Sequence, residues 1–176
     1  TSSASVSALT ERLDESVGLL ETLVREPRFP QHEINRVRGE WVAAIQREKT
    51  RPEGLAMRLL PPLLYGGGHP YAIPFSGLGT EAAIAAITRE DLLAFQRDWL
   101  RPDNATLIVV GDATRASILP VLEKHFGGWR PPASPRPAKP IPQAHRPSAA
   151  RVYLIDRPDA VQSSIMVGLV APPSAA

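Results

Sequence analysis

A chain of 176 residues with 43% apolar and 22% charged side chains holds enough material for one packed domain, or one domain and part of another. Its formal charge of +2 comes from 17 Arg and 3 Lys interleaved with Asp and Glu, and its ten aromatics are dispersed, so it lacks the basic stripe and stacking surface that nucleic-acid binding requires. The lack of cysteine excludes disulfides, thiolate metal sites and a cysteine nucleophile, and no apolar run reaches the roughly 18 residues of a membrane span.

The first residues, TSSASVSALTERLDES, have no basic region followed by an apolar stretch and so do not read as a signal peptide. Without an initiator Met, the chain reads as a processed or excised piece. Alternation over 3–9 predicts a strand. Asp14 is placed to cap a helix over about 15–26, with Val17, Leu20 and Val24 on one face. Pro27 and Pro30 bracket a turn that tucks Phe29 inward. The stretch 31–50 predicts a helix with an apolar face of Ile34, Val37, Trp41, Ala44 and Ile45. Another helix over about 53–64 is stopped by Gly66-Gly67-Gly68.

Thr80 starts a short helix, and Thr88-Arg-Glu-Asp91 offers a capping-box start for the next, which ends near Leu100. Turn chemistry at 101–104 delivers the clearest strand, ATLIVVGD over 105–112, apolar enough to be buried on both faces. A helix over 114–126 follows and ends at Gly127-Gly128. Seven prolines within 130–147 predict an extended linker, and 151–157 and 162–170 predict two further strands. Two strands alone are marginal in water, so that last stretch calls for more chain or a partner.

The loop Tyr-Gly-Gly-Gly-His-Pro-Tyr, 65–71, is open to three readings: a phosphate cradle, a metal site or a structural turn. A phosphate loop needs a strand before it and a lysine after it; here a helix precedes, no lysine follows, and Pro70 removes a donor. The Gly-Asp at 111–112 lacks the further glycines of a dinucleotide site. A metal site would have to be built on His69, because His32, His125 and His145 fall in other elements and no H-x-x-E-H occurs. Ser163 and Ser164 lie in an expected strand rather than on a nucleophile elbow. On these residues alone, there is no catalytic residue, no cofactor site and no metal ligand; the glycines serve backbone freedom, and His69 is packed or hydrogen-bonded at a corner.

Three stretches in order carry a resemblance: PRFPQHEINRVRGEWVAAIQREKT, then LLYGGGHPYAIPFSGLGTEAAIAAITREDLLAFQRDWLRPDNATLIVVGD with LEKHFGGW, then VYLIDRPDAVQSSIMVGL. Together they resemble the pitrilysin/insulinase-type zinc metallopeptidases, the inverted zincins, over almost the whole length. The resemblance implies an α+β fold, helices packed on a mostly antiparallel sheet, in which two halves close around a peptide. It implies residues 1–128 as the latter part of one lobe, 129–149 as a proline-rich linker and 150–176 as the first strands of a second, similar lobe.

In the catalytic half of that family, zinc is held by H-x-x-E-H and by a Glu on a later helix. Laid without a gap on 35–45, that later helix puts the liganding Glu on Ala44 and its acidic companion on Val37. Glu40 lies off that face and Glu48 one turn beyond it. The resemblance therefore implies a non-catalytic half, its metal pocket filled by apolar side chains, enclosing a peptide substrate against a metal-bearing half that is fused or separate. Zinc and the peptide hydrolysis it assists would belong to that other half. An inactive assembly subunit and a peptide-binding module are the rival readings. The Arg and Ala content suggests a bacterial source, in periplasm or cytoplasm, with the periplasm favoured.

Overall fold

The computed structural model describes residues 2–144 and 149–171. Six α-helices are formed among them: α1 Leu13–Arg25, α2 Gln31–Lys49, α3 Pro52–Tyr65, α4 Glu81–Ala86, α5 Arg89–Trp99 and α6 Arg115–Phe126. Single 3-10 turns stand at Thr10–Arg12 and Pro102–Asn104. His145 and residues 172–176, which the sequence placed in the linker and the last lobe, lie outside the described residues.

The helix starts follow local chemistry. Thr80 accepts from Ala83 N–H, Thr88 and Asp91 form the expected capping box, and Thr114 with Ser117 forms another. Pro52 stands in the first turn of α3, where its missing N–H is no loss. That helix also carries Pro61 and Pro62, each removing an internal donor, and ends at Gly66 with φ +80°. Helix α1 differs from expectation: it begins at Leu13, and Asp14 sits in its first turn rather than at the cap.

Two compact units divide the chain. The first comprises Thr1–Ile34 and Thr88–Ala138, in which α1 packs on α6 over the buried Val17. Gly18 makes that approach possible, since a Cβ there would lie 2.9 Å from Cε1 of His125. The carboxylate of Asp14 receives Lys124 Nζ at 2.6 Å and pairs with His125 Nε2 at 3.1 Å. From α5, Gln96 donates to the carbonyls of Val24 and Arg25, and Arg89 to those of Arg28 and Phe29. The orphan carbonyls at the end of α1 are thereby satisfied, as is a turn in which Phe29, half-buried, takes a left-handed φ of +44°.

The second unit comprises Asn35–Ile87 and Lys139–Ala176 and holds most of α2 with α3 and α4. Its core is Ile45, Pro61 and Ile84. Arg38 on α2 donates to the carbonyls of Ile84 and Ile87 at the end of α4, its guanidinium serving as a helix C-cap.

The sheet expected from the sequence is not formed. Among the described residues there is no strand, and the α+β expectation of helices on a mostly antiparallel sheet is corrected to a helical architecture with extended segments. The reason lies in what a strand requires. Runs 3–9 and 105–112 fall in the first unit, 151–157 and 162–170 in the second, and within neither unit do they exchange ladder hydrogen bonds. Apolar, β-branched composition favours a pleated surface only when a neighbouring strand completes it. Without one, Ile108, Val110, Val152 and Leu154 stand exposed.

Candidate functional site

The zinc expectation turns on α2. Its register puts Val37 and Ala44 two turns apart, with Trp41 between them. Val37 and Trp41 are 38% and 43% exposed, so this face is not the packed apolar plug that the sequence suggests, and none of the three side chains offers a donor to a metal. The two carboxylates nearest that face are both committed. Glu40, exposed, takes the guanidinium of Arg36 at 2.6 Å across one turn. Glu48 is buried, with side-chain exposure of 9%, and its Oε2 accepts from Arg58 Nη1 at 2.6 Å.

Arg58 is equally buried and spends its other terminal nitrogen on the carbonyl of Gly79, also at 2.6 Å. One guanidinium thus ties the end of α2, the middle of α3 and the segment entering α4. A buried carboxylate must be balanced by a cation, and here the cation is covalent and permanent. Gly54 makes room for it: a Cβ at that position would come within 2.9 Å of Glu48 Cγ and closer still to the Glu48 carbonyl oxygen. Beside the pair, Glu81 receives Lys49 Nζ at 2.6 Å and bonds to Gln46; the Lys49 ammonium holds its carboxyl below the ordinary range.

The histidines are scattered. His32 is exposed beside Glu33, and His125 is pinned to Asp14, whose carboxyl is lowered first by Lys124 and then by His125. His69 has both ring nitrogens engaged. Nδ1 accepts the Tyr71 N–H at 3.0 Å, which puts the ring hydrogen on Nε2, and Nε2 lies 3.0 Å from the Pro142 carbonyl it donates to. Ser164 donates to Glu53 at 3.2 Å. Among the described residues no three His, Asp or Glu side chains gather where they could hold a metal ion. The described residues do not fit zinc.

The arginines are what sequence reasoning passed over. Arg58 and Arg101 are buried; Arg101 forks onto Asp103 at 2.6 and 2.9 Å and reaches the Ser134 carbonyl at 3.0 Å, lowering Asp103. The signal was the ratio of 17 Arg to 3 Lys. A planar fork that is always charged suits buried carbonyl and carboxylate partners as an ammonium does not.

Residues 86–175 match the family model described as the peptidase M16 inactive domain. An uncharacterized zinc protease of Bacillus subtilis (strain 168), YmxG, is 25% identical over 121 residues, a stretch covering 69% of this chain and 29% of YmxG. The chain thus matches less than a third of that relative's length. Among the described residues no helix is long and apolar enough to cross a membrane.

Proposed function

Because this chain belongs to the M16 peptidases, the pitrilysin/insulinase-type zinc metallopeptidases, and matches their inactive domain, we propose that it serves as the non-catalytic half that encloses a peptide substrate against a metal-bearing half. The metal-bearing half is either another part of the same polypeptide or a separate subunit. Zinc and the hydrolytic groups belong to that partner. This chain contributes walls and backbone hydrogen-bonding groups, which position an extended peptide without reacting with it.

One observation supports the reading above the others. The only buried carboxylate of α2 is neutralised by Arg58, while the positions that would carry metal-facing carboxylates hold Val37 and Ala44. A metal-bearing helix of this family would need its carboxylates free of such a partner. The test is elemental mass spectrometry of the purified chain after dialysis against trace zinc. We expect well under one-tenth of an equivalent; one tightly held zinc per chain would overturn the assignment. Addition of a metal-bearing M16 half should then yield peptide hydrolysis that neither component shows alone. Hydrolysis by the other half that is indifferent to this chain would favour an assembly role instead.

A further inference from the structure

The loop at 65–71 holds a contact that the peptidase reading does not use. Tyr65 stacks on the His69 ring with centroids 5.1 Å apart and planes at 20°, while Tyr71 meets Tyr65 edge-on at 5.6 Å. The left-handed φ values of Gly66 and Gly68, +80° and +86°, let the loop fold back into this cluster. The Tyr71 N–H fixes the His69 tautomer, so that an oriented Nε2–H donor stands among aromatic rings. That donor is taken by Pro142, in the segment Lys139-Pro-Ile-Pro-Gln-Ala144. Among the described residues, 140–144 make no backbone–backbone hydrogen bond, and Pro142 has a carbonyl but no N–H.

Aromatic surface with a single donor aimed at a carbonyl is how extended proline-rich peptides are read elsewhere in proteins, because their backbone is already stiff and its carbonyls are free. We propose that the Tyr65/His69/Tyr71 loop is a binding site for an extended, proline-containing peptide, and that this chain's own residues 139–144 occupy it as a strap. The bond between His69 and the Pro142 carbonyl anchors the strap, and a competing peptide of like sequence can replace it. The attached segment has the advantage of a millimolar effective concentration, so an external peptide gains access readily only when the strap is removed. This site stands on its own geometry, and its failure would leave the zinc result above untouched.

The probe is the octapeptide Pro-Ala-Lys-Pro-Ile-Pro-Gln-Ala, the sequence of residues 137–144, titrated into the 176-residue chain and followed through the ring NMR signals of Tyr65, His69 and Tyr71. In a chain whose residues 139–143 are replaced by Gly and Ser, and whose circular dichroism matches the parent, we expect saturable shifts. The same peptide concentrations should leave the intact chain unmoved. His69→Ala in the opened chain should weaken binding at least tenfold, and His69→Gln, which keeps an N–H donor, should restore part of it. A peptide with both of its last two prolines changed to Gly should bind several-fold more weakly. Absence of shifts in the opened, folded chain, or binding indifferent to His69→Ala, would overturn the proposal. Should the opened chain not fold, His69→Ala in the intact chain decides: a shift of the Pro142 carbonyl carbon signal, the atom that accepts the bond, is expected, and an unchanged signal would refute the strap.

Discussion

The Glu48–Arg58 pair concentrates more consequence than any other two residues. Both side chains are more than nine-tenths buried, so removing one partner leaves a charge in a poorly solvating site. Arg58→Ala should cost about 3–5 kcal/mol of stability in urea denaturation, the range for breaking a buried pair. Replacing both, as Glu48→Leu with Arg58→Met, should cost less than the single change, although the Gly79 carbonyl loses its donor. A double variant as damaged as the single would mean that the pair's charge is not what matters. Gly54→Ala probes the same place by volume. Its Cβ collides with Glu48, and about 1–3 kcal/mol of destabilisation is expected where an exposed helical Gly→Ala would stabilise. None of this was legible in the sequence. Glu48 and Arg58 meet only once two helices are packed, whereas the loss of donors at Val37 and Ala44 is what the family resemblance, laid without a gap on 35–45, implies.

Helices were legible because their signals are local. Thr88 and Asp91 announce the start of α5 three residues apart, and the structure forms both halves of that box, with Thr88 N–H donating to Asp91 Oδ2 at 2.8 Å and Asp91 N–H to Thr88 Oγ1 at 3.1 Å. Thr88→Ala should cost about 1 kcal/mol. The box also carries a pH dependence with a definite sign. Bonds from the Thr88 backbone and hydroxyl hold the Asp91 carboxyl below its ordinary value of 3.8. A depressed carboxyl contributes stability that is present above the unfolded value and lost as pH falls through the lower, folded one. Helicity followed by circular dichroism should therefore hold from neutral pH down to about 4 and decline below it. Asp91→Asn should blunt that decline, and an identical acid profile in the variant would remove Asp91 as its source. Strands were illegible for the opposite reason. The run 105–112 has the composition of a buried strand, yet its ladder depends on residues far away in the chain, and within its unit none is offered.

Across the whole molecule, few side chains are withdrawn from water relative to the apolar content. Among the described residues the buried hydrophobics are Val17 in one unit and Ile45 and Ile84 in the other, whereas Ile108, Val110, Val152, Leu154, Ile165 and Val167 are each at least 80% exposed. Exposure also alternates along the extended runs: Leu107 and Val109 are 47% and 44% exposed, Ile108 and Val110 80% and 92%. Period-two exposure with apolar residues in both phases is an extended backbone wetted on two sides. Substitutions should therefore divide sharply by place. Ile45→Ala, at a fully enclosed site, should cost about 2–5 kcal/mol by transfer and cavity terms together. Val110→Lys and Val152→Lys remove nothing that is buried and should each fall within about 0.5 kcal/mol of the parent. They should, however, lower the fluorescence of a hydrophobic dye bound to the isolated chain and raise its solubility, because contiguous exposed apolar surface is what such dyes report and what drives association. Denaturation midpoints and dye titrations on the same three variants separate the two effects. Loss of several kcal/mol in Val110→Lys would show that 105–112 is packed in solution.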